Sequence, residues 1–342
     1  MREKIRNQLV SVILPVYNNE NTIQKCIESV LGQQNANLEL IIVDDGSQDK
    51  SQELCRVYEK KDSRVIFQRV MHGGVARARN YGLLHARGEY IMFVDADDFY
   101  YDGMVSLMEK AMEKSGADLA VCTYYKKIGN YRIPCTIREK SKLYSVEGYL
   151  KNILKDPGHH YYGVVWNKMF RRSVIMNHTL FFDKDAGLGE DFIFNLNYMN
   201  CIKKVQVIGK HLYCYDCTKE KSLSRKENKI IQDVWYEYQS RRKIFHTFQE
   251  TFREKGIYES EKRKIMHYWI SFYIRQKYHL KREYLGWRKE DKDTLNDFLE
   301  QDEMIQECVR EYKGQVCKEL VMFFLKQDMK NKIKLILGIS KP

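Results

Sequence analysis

The chain has 342 residues, a length that allows one α/β domain of ordinary size together with a smaller second unit. Apolar and aromatic residues make up 44% of the sequence and only four residues are proline, so the composition excludes a disordered or collagen-like chain. The net charge of +12 favours anionic partners, but it does not choose among phosphates, lipid headgroups and nucleic acid.

The nine cysteines are scattered and odd in number, which is typical of a reducing compartment rather than of a disulfide-rich domain. Cys214 and Cys217 have the spacing of half a zinc site, but the sequence offers no second pair at a matching distance. The early apolar run "LVSVILPVY" contains Pro15 and precedes no small-residue cleavage site, so it indicates a strand rather than a signal peptide. No stretch approaches the roughly 20 apolar residues of a membrane span. We therefore expect a cytoplasmic protein.

Residues 9–122 alternate short β-branched runs with helical patterns. The predicted strands are, in order, "LVSVILPV", "LELIIVD", "RVIFQRV", "EYIMFVD" and "ADLAVCTY". The predicted helices between them span residues 20–32, 48–60, 74–86 and 103–114. Apolar strands that are joined by helices predict an α/β fold with a doubly wound, mainly parallel sheet.

Polar clusters follow the first four of these strands: "YNN", "DDGS", "MHGG" and "DADD". The carboxyl ends of parallel strands meet at one edge of a sheet, and ligands of such sheets bind there. Asp, Asn and Gly are also common turn and cap residues, so each cluster taken alone has a structural explanation. Four clusters on one edge together predict a ligand site.

Asp95 and Asp97 form an Asp-x-Asp pair directly after the fourth strand. Carboxylates this close repel one another unless a cation lies among them. Mg²⁺ and Mn²⁺ accept such oxygens together with substrate phosphates, and they stabilise the diphosphate that leaves when a sugar nucleotide is cleaved. The pair therefore predicts a Mn²⁺ or Mg²⁺ site. For Asp98, a turn or N-cap role is an equal alternative.

The chain beyond the fifth strand first predicts a hairpin around a Gly-Asn pair within residues 123–145. A glycine-rich loop follows, and it leads into a helix with Glu190 and Asp191 in its first turn. The helix dipole favours carboxylates there, so capping is an alternative to catalysis. From about residue 226 the pattern is helical. We predict a catalytic domain at 1–222, with a donor half at about 8–122 and an acceptor half at about 123–222, and a helical region at 223–342.

The last segment predicts a basic amphipathic helix at residues 320–339. Such a helix favours peripheral contact with an anionic membrane at its inner face, and packing on the body of the protein is the alternative. Aromatic residues at helical spacing within 226–312 are explained by core packing, and oligomerisation is an alternative. The apolar stripe comprises Met322, Leu325, Met329, Ile333 and Ile336, with Lys326, Lys330 and Lys334 beside it.

Four segments carry a resemblance to a known family: "VSVILPVYNNE", "LELIIVDDGSQDKS", "GGVARARNYGLLHARGEYIMFVDADD" and "GEDFIFNLNYM". They resemble family 2 glycosyltransferases, which are inverting enzymes of the GT-A fold that build bacterial polysaccharides. The resemblance extends over roughly residues 8–217. It implies an inverting transfer of a sugar from a nucleotide donor, most commonly UDP-hexose or UDP-N-acetylhexosamine, to a glycan or lipid-linked saccharide.

The resemblance also implies a donor site. Asp45 would accept a hydrogen bond from the uracil N3, with Asp44 beside it. Asp95 would face the ribose and Asp97 the metal ion. The nucleoside pocket would be lined by Pro15, Val16, Tyr17 and Asn18, the backbone at Gly74 would approach the nucleotide, and Arg79 would lie near the diphosphate.

On the acceptor side the resemblance implies that Asp191 is the base that deprotonates the acceptor hydroxyl, with Glu190 beside it. The segment "VWNKMFRR" is similar to the family's acceptor-side segment, and its candidate contacts are Trp166, Asn167 and Lys168. Trp166 could stack on a sugar, and the equal alternative is that it joins the acceptor half to the sheet as a core residue.

Three other functions share some of these features. A nucleic-acid-binding protein would also be basic, but the sequence shows no recognisable binding module and its carboxylates would repel phosphates. A sugar nucleotidyltransferase also uses paired carboxylates and a divalent ion, but it would carry a basic glycine-rich loop where this chain has "YNNENT". Intact Asp45, Asp97 and Asp191 argue against a non-catalytic nucleotide-binding partner protein. We expect no nucleic-acid partner.

Overall fold

The computed structural model describes residues 7–34, 36–135, 141–155, 159–218 and 231–269, with the single positions 293, 303, 306 and 310. Its strands are β1 (Val10–Val16), β2 (Leu38–Asp44), β3 (Val65–Arg69), β4 (Tyr90–Phe93), β5 (Phe99–Tyr100), β6 (Leu119–Ile128), β7 (Tyr131–Cys135), β8 (Leu143–Ser145), β9 (Lys168–Arg171) and β10 (Lys204–Asp216). Its helices are α1 (Ile23–Leu31), α2 (Ser51–Lys61), α3 (Val75–His85), α4 (Met104–Ser115), α5 (Val146–Ile153), α6 (His160–Gly163), α7 (Arg172–Asn177), α8 (Glu190–Asn200) and α9 (Ile231–Glu254).

The strands form one sheet in the order β3-β2-β1-β4-β9-β6-β10-β5, with β7 beside β6 and β8 beside β10. β1, β2, β3 and β4 pair in parallel, and every residue of β1 and β2 is buried. These strands are rich in Val, Ile and Leu because helices cover both faces of a parallel sheet. The doubly wound, mainly parallel sheet of the sequence prediction is confirmed.

Pro15 lies in the central strand β1, where proline is unusual because it lacks an N–H donor. The carbonyl of Ile13 accepts a hydrogen bond from the Val94 amide, so Ile13 faces β4, and Pro15, two residues on, faces the same side. Pairing with β4 ends at Ile13, opposite Phe93. The missing donor therefore points to the place where β1 and β4 separate. The strand order reverses here, and ligands of open α/β sheets bind at such a point.

The sheet contains an antiparallel strand that the sequence pattern did not indicate. β9 lies between β4 and β6 and pairs antiparallel with both. Its four residues come from the segment "VWNKMFRR", whose short apolar run shows no periodicity of its own. The consequence is that Lys168–Arg171, which belong to the predicted acceptor half, lie in the middle of the sheet.

The predicted hairpin is confirmed. β6 and β7 pair antiparallel, with Ile128 opposite Tyr131 across the Gly129-Asn130 turn. Gly129 has a φ of +57°, a value that glycine adopts without strain.

The chain divides into two compact units: Met1–Lys229 with Tyr236–Ile257, and Ile230–Trp235 with Tyr258–Pro342. The unit that contains the sheet therefore includes most of α9. In the other unit, residues 258–269 are helical. The predicted boundary at 222/223 and the predicted tail helix at 320–339 lie outside the described residues, and both remain predictions. Within the described part of the chain, no helix has the length and apolarity needed to cross a membrane.

Candidate active site

Asp45 anchors the loop between β3 and α3. It follows β2 and is 3% exposed, and its two carboxylate oxygens accept hydrogen bonds of 2.8 Å each from the amides of Gly73 and Gly74. His72 Nδ1 lies 2.9 Å from Asp45 Oδ2. Gly74 is the N-cap of α3 with a φ of +87°. The structure thus shows that Asp45 shapes the "HGG" loop, and its predicted contact with uracil remains a prediction.

Asp44 stabilises the turn of the "DDGS" motif. It is fully buried, and its Oδ1 accepts a hydrogen bond of 3.1 Å from the Ser47 amide. Its Oδ2 lies 3.5 Å from Arg69 Nε. The carboxylate of Asp44 therefore points into the protein. The resemblance implies a place for Asp44 beside the nucleotide, and this role remains a prediction.

Tyr17 and His72 form an aromatic stack at this edge of the sheet. Their rings are 4.3 Å apart and inclined by 25°, and Tyr17 is 43% exposed. Pro15 and Val16 before them are buried in β1. Asn18 has a φ of +53°, and its Oδ1 accepts a hydrogen bond from the Gln48 amide. The exposed ring of Tyr17 is the part of this predicted pocket that a planar base could contact.

The three carboxylates after β4 have different surroundings. Asp98 is 2% exposed and accepts hydrogen bonds from the Tyr213 hydroxyl and the Asp216 amide at 2.6 and 2.8 Å. Burial, and then the charges of Asp97 and Asp95, raise the pKa of Asp98 well above its ordinary value. Asp98 therefore links β10 to the loop after β4 through these two hydrogen bonds. Asp97 is exposed and Asp95 is 30% exposed at its side chain.

Arg79 joins the two halves of the site. It lies on α3 and is 3% exposed. Its Nη2 donates to Asp95 Oδ1 at 3.0 Å, and its Nη1 donates to Asp191 Oδ1 at 2.6 Å and to Glu190 Oε1 at 3.1 Å. The planar guanidinium of arginine holds two donor nitrogens in a fixed geometry, so it can bind carboxylates on two sides. The ammonium of lysine has a single nitrogen that rotates freely. The structure brings together three predicted carboxylates that are up to 96 positions apart in sequence around the predicted arginine.

Asp191 and Glu190 open α8, and their side chains are each 18% exposed. Burial raises the pKa of Asp191 to about 7; Arg79 opposes this shift, and the charges of Glu190 and Asp95 reinforce it. A carboxyl group with a pKa near neutral is suited to accept a proton from a hydroxyl.

The loop before α8 rests on α9. The Leu188 amide donates to Ser240 Oγ at 3.3 Å, and Lys243 forms an ion pair with Asp183. A Cβ added at Gly189 would lie 2.3 Å from Ile244 Cδ1, so the backbone and the helix are in close contact. The sequence analysis missed this role of α9 because a serine in a helical pattern carries no signal of what it faces.

Asn80 is a second residue that the sequence analysis missed. It exchanges two hydrogen bonds of 2.8 Å with the backbone of Phe182 and so holds the same loop from α3. Its position beside Arg79 in the "ARN" motif was the only sequence signal.

The three acceptor candidates before α7 are buried. The ring of Trp166 is 3% exposed and stacks on Tyr213 at 4.2 Å. Asn167 donates to the carbonyls of Cys122 and Tyr161. Lys168 is fully buried and donates to the Tyr161 carbonyl at 3.0 Å, and burial lowers its pKa to about 7, opposed by the charge of Asp191. The structure favours the alternative in which Trp166 is a core residue.

The carboxylates fit a small divalent cation whose remaining ligands come from a substrate. Asp97 is exposed and Asp95 is partly exposed beside Arg79, whereas Asp98 is buried against β10. Mg²⁺ and Mn²⁺ are commonly held by one or two carboxylates together with phosphates and water. Across the described residues, no cluster of three or more His, Cys, Asp or Glu side chains could enclose a metal ion alone.

The chain is similar to known glycosyltransferases. The model of the family described as glycosyl transferase family 2 matches residues 11–179. The uncharacterized glycosyltransferase EpsJ of Bacillus subtilis is 32% identical over 60% of this chain and 60% of its own length. The minor teichoic acid biosynthesis protein GgaB of the same species is 42% identical over 30% of this chain and 12% of its own length. The chain thus spans less than two thirds of both relatives.

The fold also has a solved counterpart. A crystal structure of Staphylococcus aureus TarS 1-349 in complex with UDP-GlcNAc superposes with a TM-score of 0.58 at 19% identity, covering 71% of this chain and 66% of that one. This likeness confirms the GT-A fold of the sequence prediction. The sequence match and the predicted motifs agree on one family, so residues 11–179 of the chain form a domain of glycosyltransferase family 2.

Proposed function

We propose that the protein is an inverting glycosyltransferase that moves a sugar from a UDP-linked hexose or N-acetylhexosamine to a hydroxyl group of a glycan or lipid-linked saccharide. The observation that carries this proposal is the contact of Arg79 with Asp95 on one side and with Glu190 and Asp191 on the other. It ties the strand end expected to hold the donor to the helix expected to hold the base.

In the proposed reaction, Asp191 accepts the proton of the acceptor hydroxyl. The hydroxyl oxygen forms a bond to the anomeric carbon on the face opposite the diphosphate, and the bond from that carbon to the phosphate oxygen breaks. The electron pair leaves with UDP, and the new linkage has inverted configuration. Arg79 binds Oδ1 of Asp191, so Oδ2 is the oxygen we assign to the hydroxyl.

Asp95 and Asp97 would hold a divalent cation, which when bound supplies charge stabilisation for the departing diphosphate. Arg79 contributes positive charge on the same side without any change of protonation, since an arginine stays charged in proteins. Tyr17, stacked on His72, would contact the base of the nucleotide. The protein's own contribution to catalysis is therefore positioning and fixed charge.

Two comparisons guide the choice of substrates. TarS, which has the same fold, has been crystallised with UDP-GlcNAc, so this donor is the first to test. GgaB is named for teichoic acid biosynthesis, which supports an acceptor in bacterial surface glycan synthesis. The same substrate class would explain a peripheral position at the inner face of the membrane.

The test is a comparison of the wild-type protein with Asp191→Asn. UDP-GlcNAc and other UDP-sugars are screened with Mn²⁺ for UDP release, alone and with saccharide acceptors. We expect Asp191→Asn to reduce acceptor-dependent UDP release by about 10²–10⁴-fold, the usual contribution of a general base. UDP affinity, measured by calorimetry, should stay within about threefold because the substitution leaves the nucleotide pocket intact.

Asp185→Asn is the matched control, since Asp185 is an exposed aspartate of the same loop. It should release UDP at the wild-type rate. Full activity of Asp191→Asn, or a wild-type protein that neither binds nor cleaves any nucleotide sugar, would refute the proposed function.

A further inference from the structure

Two exposed apolar side chains lie at the loop that leads into α8, the helix that carries the predicted base. Leu188 lies in the loop before α8 and is 46% exposed. Tyr236 lies on α9 and is 54% exposed. Exposed apolar side chains beside a polar cleft are a recurring feature of binding sites. Both residues lie outside the matched family domain at 11–179.

The position of the Tyr236 ring is determined by its contact with the loop. Gly187 has a φ of +67°, and a Cβ added there would lie 2.7 Å from Tyr236 Cζ and 2.3 Å from Ser240 Oγ. The ring therefore rests directly on the loop backbone. Ser240 lies one helical turn further along α9 and accepts the Leu188 amide, so Tyr236 and Ser240 face the loop together.

The loop limits how far the ring can lie from the predicted base. Gly187 and Asp191 are four residues apart, a separation of at most about 14 Å even for an extended chain. Residues 190 and 191 are already helical, which shortens the path. The bound is compatible with a saccharide of two or more sugar units that contacts Asp191 through one hydroxyl and the Tyr236 ring through a neighbouring sugar.

Resting on the proposed function, we propose that Tyr236 and Leu188 form an acceptor subsite that binds the apolar face of a pyranose ring. A sugar ring presents C–H groups on its face and hydroxyl groups around its edge. Tyrosine offers the matching combination of an apolar ring and a polar tip. The structure buries Trp166, the aromatic residue that the sequence suggested for this task, under Tyr213.

The surroundings of Tyr236 favour a saccharide over a hydrocarbon chain. Lys243 and Asp183 form an ion pair along the same contact between α9 and the loop, and their side chains are 43% and 31% exposed. Polar and charged groups beside an aromatic ring can hydrogen-bond to sugar hydroxyl groups, whereas a lipid chain would have to desolvate them.

The test uses the methyl glycosides of glucose, galactose, N-acetylglucosamine and N-acetylgalactosamine, because these probes contain no aromatic ring of their own. Binding to the full chain is measured by saturation-transfer NMR in the presence of UDP and Mn²⁺. We expect at least one glycoside to bind, with the strongest transfer on its ring C–H protons. Tyr236→Ala should weaken that binding by about tenfold, whereas Tyr236→Phe should retain it because the ring is kept.

Tyr131→Ala is the control, because Tyr131 is a 78% exposed tyrosine on the β6–β7 hairpin. It should bind the glycosides as the wild type does, and thermal melting checks that each variant is folded. The subsite is refuted if no glycoside binds the wild type, if Tyr236→Ala binds as tightly as the wild type, or if Tyr131→Ala loses as much. UDP binding is titrated separately. If UDP binds but no glycoside does, the subsite fails and the proposed function stands; if UDP does not bind, the proposed function itself fails.

Discussion

Arg79 is the residue on which the geometry of the site depends most. Three carboxylates of the site surround one buried guanidinium, so their mutual repulsion is offset by a single positive charge. Removing one partner of a buried ion pair leaves the other charge buried without compensation. The resulting loss in the free energy of unfolding is larger than the net stabilisation that the intact pair provides. Arg79 therefore contributes both to folding and to the alignment of the predicted donor and acceptor groups.

Arg79→Lys tests this role while keeping the charge. A lysine has one ammonium nitrogen in place of the two fixed nitrogens that contact Asp95 and Asp191, so we expect the free energy of unfolding to fall by about 1.5–3 kcal/mol. The misalignment should reduce turnover by about 10²-fold. Urea unfolding and UDP release measure the two effects. Arg77→Lys, an exposed position two residues away, should change neither quantity. Wild-type turnover in Arg79→Lys would show that the bridge is dispensable.

The pKa of Asp191 predicts a pH dependence. Burial raises this pKa to about 7, and a base must be deprotonated to act. We therefore expect kcat/KM for transfer to rise about tenfold per pH unit below pH 7 and to level off above it. Measurement from pH 5 to 9 with UDP binding recorded in parallel checks this. A flat profile over the acid limb would contradict the role of Asp191 as the base.

The same shift has a consequence for stability. A carboxyl group whose pKa is higher in the folded state binds its proton more readily there than in the unfolded chain. Its contribution to stability is therefore present below the unfolded pKa and is lost as the pH rises through about 7.

Individual residues differed in how well the sequence could predict them. Arg79, Asp95, Glu190 and Asp191 were identified because their motifs are specific, and the structure brings them together. Trp166 could be read as an acceptor platform or as a core residue, because a sequence does not show which ring faces are covered.

At the scale of elements, the site depends on how α8 begins. The loop before it reaches the helix through Gly189, whose φ of +107° is accessible to glycine but strained for other residues. Ile244 of α9 packs directly against this glycine. The orientation of Asp191, two residues further on, is therefore determined jointly by the loop backbone and by α9.

Gly189→Ala should disturb this arrangement in two ways, through backbone strain and through contact with Ile244. We expect a loss of about 1–3 kcal/mol in the free energy of unfolding, together with a fall in turnover, because the start of α8 must shift. Gly256→Ala is the matched control: Gly256 has a φ of +67°, and an added Cβ there meets nothing within 4 Å. Gly256→Ala should lower the free energy of unfolding through backbone strain and leave turnover unchanged.

Replacing Ile244 by alanine in the Gly189→Ala background separates the two causes. The double variant should regain part of the turnover if the steric contact displaces Asp191. No recovery, together with equal losses for Gly189→Ala and Gly256→Ala, would contradict a role for α9 in orienting the helix.

The elements that the sequence predicted best were those with strong local patterns. β1 to β4 and the β6–β7 hairpin follow from β-branched runs and a Gly-Asn turn. β9 could not be predicted in the same way, since its four residues become a strand only between β4 and β6. The packing of α9 on the loop is likewise a tertiary contact that no local signal announces.

At the scale of the whole molecule, the net charge of +12 contrasts with the carboxylates gathered at the carboxyl edge of the sheet. The positive net charge favours an anionic ligand, and the carboxylates at this edge favour a cation that binds together with that ligand. A nucleotide diphosphate with Mn²⁺ or Mg²⁺ has this combination. The central claim is therefore that UDP and the cation bind to this edge cooperatively.

Calorimetric titration of UDP with and without Mn²⁺, into the wild type, Asp97→Asn and Asp102→Asn, tests this claim most directly. Asp102 is an exposed aspartate just beyond the cluster and serves as the control. We predict that Mn²⁺ tightens UDP binding by about tenfold or more in the wild type and in Asp102→Asn, and that Asp97→Asn loses this effect. UDP binding that is independent of Mn²⁺, or a Mn²⁺ effect that persists in Asp97→Asn, would contradict the account.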